Sequence, residues 1–314
     1  MKAMVFSCDA VRLNSTFLFY PCETESLAMK RSDFRFFHRL RVRWAEIDMQ
    51  KIVFNGHYLS YIDTAVTAYW GRIALPYETA FKLLGGELYV KKATLEYHAS
   101  AVMDDDLSIG MKCSKLGNSS MVFQAGIFRG DKLLVSGELI YVFADPQTQT
   151  SKPIPEALRH ILLIYEAGQP VVDLKMGSWS ELKTMAAALR HEVFVAEQEV
   201  PVELELDDLD DYALHAVVLN KLGQGVATGR LLQPQAHVAQ IGRMAVSKPL
   251  RGGNLGRMLV EAFIEAARQR GDHEVILHAQ CSAEVFYRKL GFQSHGDVFD
   301  DAGIDHIGMT LKLN

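Results

Sequence analysis

Near residue 145 the hydrophobic period of this 314-residue chain changes, and one sheet or one helical bundle cannot satisfy both patterns. Before that point the pattern is mostly two-residue. Leu40, Val42 and Trp44 alternate with Arg39, Arg41 and Arg43, which predicts a half-buried strand over 38–44. The alternation recurs over 89–98, 107–116, 120–129 and 132–143, and Gly117-Asn118 and Gly130-Asp131 supply hairpin turns. One stretch breaks it: Leu59, Ile62, Val66, Tyr69 and Ile73 recur at three- and four-residue steps until Pro76, predicting a long helix with one apolar face. Four prolines then lie between Asp145 and Pro170, around a short helical piece at Glu156 to Glu166.

After Pro170 strands and helices alternate. Ser178 and Glu181 form a capping box that starts a helix through Leu182, Met185, Ala186, Leu189 and Val193. Strands are expected over 171–175, 215–219, 225–233, 240–246, 274–279 and 308–313. A second long helix carries Leu255, Leu259, Ala262, Phe263 and Ala266 and stops at Gly271; a short one spans 282–290. The expected organisation is an extension over 1–33, disordered or ahead of the true start; an α+β domain over 34–150, a long helix wrapped by antiparallel sheet; a linker over 151–170; and an α/β domain over 171–314, a mixed, mostly antiparallel sheet with flanking helices. At roughly 150 residues per domain, the length supports two cores.

Composition excludes several classes. With 33 basic against 38 acidic side chains there is no global positive field for nucleic acid. No apolar run approaches the ~18 residues of a membrane span. Asp9, Arg12 and Asn14 interrupt the apolar start, so no signal peptide is expected. Cys8, Cys22, Cys113 and Cys281 have neither CxxC nor Cys/His ligand spacing, which argues against a zinc site or disulfide framework and for a reducing cytoplasm.

In the first half, Asp48 stands in a loop just ahead of the long helix, whose first N–H groups at Asn55, Gly56 and His57 can polarise a carbonyl oxygen. By residue type alone the plainer reading of Asp48 is a loop or helix-capping carboxylate. The run Asp48-Met49-Gln50-Lys51-Ile52-Val53-Phe54-Asn55-Gly56-His57-Tyr58 resembles the D-x-x-G-I-V-(aromatic)-x-x-N-Y segment of hotdog-fold acyl-CoA thioesterases of the 4-hydroxybenzoyl-CoA and Tol-Pal-cluster type. The resemblance covers about 36–145. It implies that Asp48 is nucleophile or general base, that the backbone of Asn55, Gly56 and His57 holds the thioester carbonyl, and that the site lies between protomers of a homo-oligomer. Lys51 replaces the usual glycine, and His57 a frequent asparagine. Asp63 reads as a solvated helix residue.

In the second half a strand ending Met244-Ala245-Val246 leads through Arg251-Gly252-Gly253-Asn254-Leu255-Gly256-Arg257 into the second long helix. A glycine-rich loop at a helix start can cradle a diphosphate. This loop resembles the [RQ]-x-x-G-x-[GA] pyrophosphate loop of GNAT N-acetyltransferases, with Asn254 at the first glycine, a residue tolerant of positive φ. Phe286-Tyr287-Arg288-Lys289-Leu290-Gly291-Phe292 resembles the family's F-Y-x-x-L-G-F. The likeness extends over nearly all of 171–314, including Val193 to Gln198 and Asp301 to Met309. It implies that Tyr287 protonates the departing thiolate, that the backbone of Met244, Ala245 and Val246 pairs with pantetheine, and that Gln280 stands at the cofactor site. A packed core aromatic is the plainer reading of Tyr287. A base must also deprotonate the amine; Glu197, His306 and the run Glu203, Glu205, Asp207, Asp208, Asp210 and Asp211 are candidates, although a run of charge usually forms a solvated face.

Together these imply a bifunctional enzyme, thioesterase and N-acetyltransferase, using acyl-CoA and acetyl-CoA as substrates, with no resident cofactor or metal and an unidentified amine acceptor. The alternative is that one or both halves are non-catalytic CoA-binding or assembly modules.

Overall fold

A computed structural model describes residues 29–313. Most of the expected extension therefore lies outside the described residues. Arg31 already belongs to the first unit, its guanidinium donating to Gly130 O (3.2 Å) and covering the Phe37 ring.

The first half pairs β1 (Phe36–Arg41), β2 (Glu87–Tyr97), β3 (Asp106–Leu116), β4 (Ser120–Arg129) and β5 (Lys132–Ala144) in the antiparallel order β1-β3-β4-β5-β2. Helix α1 (Asn55–Arg72) lies across this sheet, with Tyr58, Tyr61, Ile62, Ala65, Val66, Tyr69 and Trp70 buried. That spacing is one helical face. It is turned slightly from the predicted one, so Leu59 is 40% exposed. The first strand ends at Arg41; Trp44 begins a short 3-10 turn and is 81% exposed, not packed on the strand's apolar side. A helix absent from the prediction, α2 (Tyr77–Leu84), follows Pro76, buries Ala80 and Phe81 and ends at Gly85 in the left-handed region. Helix α3 (Glu156–Glu166) is where the short helical piece is expected, but it is more than a connection. Leu158, Ile161, Leu162 and Tyr165 are buried in the first core, and Glu166 accepts from the Tyr69 hydroxyl (2.6 Å).

The second half is a seven-stranded sheet of order β11-β12-β10-β9-β8-β7-β6. Its strands are β6 (Val172–Gly177), β7 (Leu214–Asn220), β8 (Gly225–Gln235), β9 (Val238–Val246), β10 (Glu274–Gln280), β11 (Gln293–Asp301) and β12 (Ile304–Lys312). All neighbours are antiparallel except β9 and β10. Helix α4 (Trp179–Arg190), started by the Ser178/Glu181 box, continues as a π-helical run His191–Glu197; α5 (Val202–Glu205) is one turn; α6 (Leu255–Arg270) ends at Gly271; α7 (Glu284–Arg288) is short. Alternation along β7 sets the layers: Ala216 and Val218 pack with α6, Val217 and Leu219 with α4. Strand β11 lies outside the prediction because it is an exposed edge with no apolar face.

The two halves touch. Asn220, buried at the end of β7, donates to Ala74 O just beyond α1 (3.0 Å), while its side-chain oxygen accepts from Leu222 and Gln224 N–H. Leu222 packs against the first core, and the Pro249 carbonyl lies against Gly71 of α1.

Two candidate active sites

Asp48 sits in a tight turn. Its N–H donates to Ile52 O (2.9 Å), its carbonyl accepts from Lys51 N–H (3.0 Å), and its carboxylate accepts from Gln50 N–H (2.7 Å). Lys51 completes the turn with φ +62°, the left-handed conformation for which glycine is suited. The turn forms without glycine. Beneath it, Glu46 is buried, accepts from Arg43 N–H (2.7 Å) and the Tyr61 hydroxyl (2.7 Å), and gives its carbonyl to Phe54 N–H (2.9 Å). Burial opposes ionisation, but the bonds from Arg43 and Tyr61 outweigh it and hold this carboxyl below its usual value. Glu46 thus ties the loop to α1. Nothing in the sequence pattern singled it out, because its partner Tyr61 is fifteen residues away.

Asp48 and Asn55 line one cavity of about 580 Å³, with Ile52, Val53, Phe54, Tyr58 and Tyr97. Helix α1 begins with no side-chain cap, so the Asn55 and Gly56 N–H groups are left as the unpaired ones of its first turn. The prediction needs correcting at His57: its N–H donates to Phe54 O (2.9 Å), and neither it nor Gly56 lines the cavity. Tyr97 is tied to the helix start, its hydroxyl donating to Asn55 O (3.2 Å).

In the second half β9 and β10 pair only as far as Ile241 and Leu277, although both strands run further. A bulge explains the parting. Arg243 and Met244 stand opposite Gly229, and Arg243 has φ +51°. A Cβ on Gly229 would come within 2.6 Å of the Met244 sulfur and 2.9 Å of the Phe263 ring, so the bulge needs glycine there. Between the parted strands is a cavity of about 210 Å³, lined by Gly242, Arg243 and Met244 from β9, His278 and Gln280 from β10, and Tyr287. Ala245 and Val246 pair with Thr228 and Ala227 of β8. Burial pushes the Tyr287 phenol up to about 12, so it keeps its proton at neutral pH.

Asn254 takes the left-handed conformation at φ +69°, as does Gly252 at +81°. Helix α6 starts without a side-chain cap, leaving Leu255 and Gly256 N–H groups for a ligand. A Cβ on Gly256 would meet only ordinary contacts at 3.5 Å, which explains why alanine also suits the motif there. Arg251 N–H and Gly253 N–H, however, are spent on Lys248 O and Leu250 O. The Arg251 side chain is a fork on Glu197 (2.6 Å at both oxygens), and Arg257 pairs with Glu261 (2.7 Å). Glu197, held below its usual value by that fork, is thus occupied as a base.

The acidic run is not uniformly a solvated face. Glu205 pairs with Arg190; Asp210 bridges Arg190 and Arg230 (2.8 Å each); and Asp207 holds Arg230 (2.7 Å) and Arg243 (3.1 Å). Glu203, Asp208 and Asp211 are exposed. The inward carboxylates clamp residues 202–212 beneath the bulge. Removing one partner of such a buried pair costs roughly 3–5 kcal/mol.

Comparison with known proteins follows this division. Residues 50–136 match the family model for the thioesterase superfamily, and residues 185–313 that for the acetyltransferase (GNAT) domain. The uncharacterized protein YyaT of Bacillus subtilis is 33% identical over 132 residues, 41% of this chain and 88% of that one. The uncharacterized N-acetyltransferase YjcF of the same organism is 36% identical over 38% of this chain and 86% of its own. Among solved structures, a putative N-acetyltransferase from Lactobacillus plantarum is 31% identical, covering 46% of this chain and 99% of that one (TM-score 0.43). The YbaW probable thioesterase from Escherichia coli is 20% identical, covering 40% and 95% (TM-score 0.36). The chain carries a thioesterase-superfamily domain in its first half and belongs, through its second half, to the GNAT acetyltransferases.

Proposed function

We propose that the protein is a two-site enzyme of CoA thioesters, hydrolysing acyl-CoA at the first site and transferring acetyl from acetyl-CoA to an amine at the second. The observation that carries the first activity is the shared cavity of Asp48 and the uncapped start of α1. A thioester carbonyl against the Asn55 N–H would have its developing negative charge stabilised while Asp48 attacks it or activates water. For the second activity, the parted strands leave the β9 backbone at Met244 open to a pantetheine arm, the turn through Gly252 and Asn254 offers N–H groups to a diphosphate, and Tyr287 is a protonated donor for the leaving thiolate. Lys51 and Asn254 both adopt the left-handed backbone that glycine takes readily, so neither replacement disturbs its turn.

This reading also makes the protein a cytoplasmic homo-oligomer. Among the described residues β2 has no partner on its outer side, and most of its eleven residues are exposed, an edge that a second copy can cover. The test is free-thiol release from an acyl-CoA panel, with Asp48→Asn expected to lower the rate about 10²–10⁴-fold. An unchanged rate removes Asp48 from the mechanism. In the second arm acetyl-CoA raises the melting temperature, and Arg251→Glu, which sets a carboxylate against Glu197, abolishes the shift; a retained shift overturns the cradle.

A further inference from the structure

The acetyl-transfer cavity of about 210 Å³ has a neighbour of about 190 Å³, bordered by Val200, Leu204 and Ile304. Five residues line both: Phe194, Arg243, Gln280, Asp301 and His306. An acceptor occupying the second space brings its nitrogen to the thioester past this common wall, so the group that removes the amine proton belongs there. Phe194 and Gln280 are not bases, and Arg243 is a cation bound to Asp207 and to Leu204 O (2.8 Å). Asp301 and His306 are left.

His306 is the one held in a working orientation. Its Nδ1 lies 2.7 Å from Ile304 O, an acceptor only, so Nδ1 carries the proton and Nε2 presents a bare lone pair. Its ring lies along Phe299, with centroids 6.0 Å apart and planes 26° from parallel. Its backbone sits between its register partners Gln280 of β10 and Phe299 of β11, so three strands fix its place. Asp301, by contrast, is exposed.

We propose that His306 is the general base of the acetyl transfer, a step that rests on the acetyltransferase reading of this half. Nε2 takes a proton from the acceptor ammonium; the freed nitrogen pair forms the N–C bond as the C–S bond breaks; the sulfur leaves with that electron pair and takes the Tyr287 proton. The acylated nitrogen, still carrying one proton too many, gives it up through solvent to the tyrosinate, and the imidazolium loses its proton to solvent. The sum is an amide, free CoA thiol and one proton released. The charged or titratable groups sharing these cavities with His306 are Arg230 of β8, held by Asp207 and Asp210, Arg243 of β9, His278 of β10, Tyr287 of α7, Asp301 of β11 and Glu205 of α5. Glu205 is bound to Arg190, and His278 lines only the first cavity.

The experiment uses the full chain, acetyl-CoA and a panel of primary alkylamines and lysine-containing peptides, following acetylated product against pH. His306→Gln should lower kcat/KM about 10²–10⁴-fold and remove the rising limb of the pH profile, while leaving the acetyl-CoA melting shift in place. Asp301→Asn should keep the limb. A limb that survives in His306→Gln, or disappears in Asp301→Asn, overturns the assignment while the acetyltransferase reading stands. Absence of transfer by the unaltered protein removes that reading and the base with it. Long-range 1H–15N spectra of the imidazoles should show neutral His306 as the Nδ1–H tautomer; the Nε2–H tautomer overturns the proposal independently of any acceptor.

Discussion

Lys51 holds a backbone conformation that costs a non-glycine residue about 1–2 kcal/mol, and its exposed side chain has no hydrogen-bond partner among the described residues. Replacing it with glycine relieves that strain but frees the unfolded chain, which takes back about 0.4–1 kcal/mol. Lys51→Gly should therefore raise unfolding stability by about 0.5–1 kcal/mol in urea titration; a loss would show that the lysine side chain supports the turn. At this scale the sequence is readable where backbone conformation decides. Asn254 tolerates positive φ, and the structure places it there. It is less readable where a distant partner decides, as for Glu46 with Tyr61, Arg251 with Glu197, and the three inward carboxylates of the acidic run. Local composition says that those groups are charged, but not that another element turns toward them.

Helices and hairpins with a strong period are legible almost to the residue. α1, α3, α6 and the strands β3 to β5 fall where spacing puts them, because burial on one face imposes the pattern. Edge elements escape, since neither face of β11 need be apolar. Helix α2 escaped despite a readable signal: Tyr77, Ala80, Phe81 and Leu84 at helical steps, closed by Gly85. Misreading α3 as part of a linker has a practical consequence. A first half ending at residue 155 lacks Leu158, Ile161, Leu162 and Tyr165, each worth roughly 1.5–3 kcal/mol of burial. That loss is comparable to the whole stability of a domain, roughly 5–15 kcal/mol. Residues 29–155 should show no cooperative melting transition by circular dichroism, and residues 29–170 should show one; cooperative melting of the shorter piece would contradict the placement of α3.

The two halves meet through Asn220. Asn220→Ala would strand the Ala74 carbonyl and the Leu222 and Gln224 N–H groups, at roughly 1–3 kcal/mol for each that stays buried. Calorimetry should then resolve two transitions where the unaltered chain shows one coupled transition, or a narrower separation; an unchanged thermogram would mean that this contact transmits nothing. The same contact governs geometry in an assembly. Copies joined along β2, as proposed, would carry the clefts between β9 and β10 at a set spacing, because each cleft is anchored to the helix behind that sheet. A target bearing several amines could then be gripped at two points at once, and its residence would grow by avidity with no new contact at either cleft.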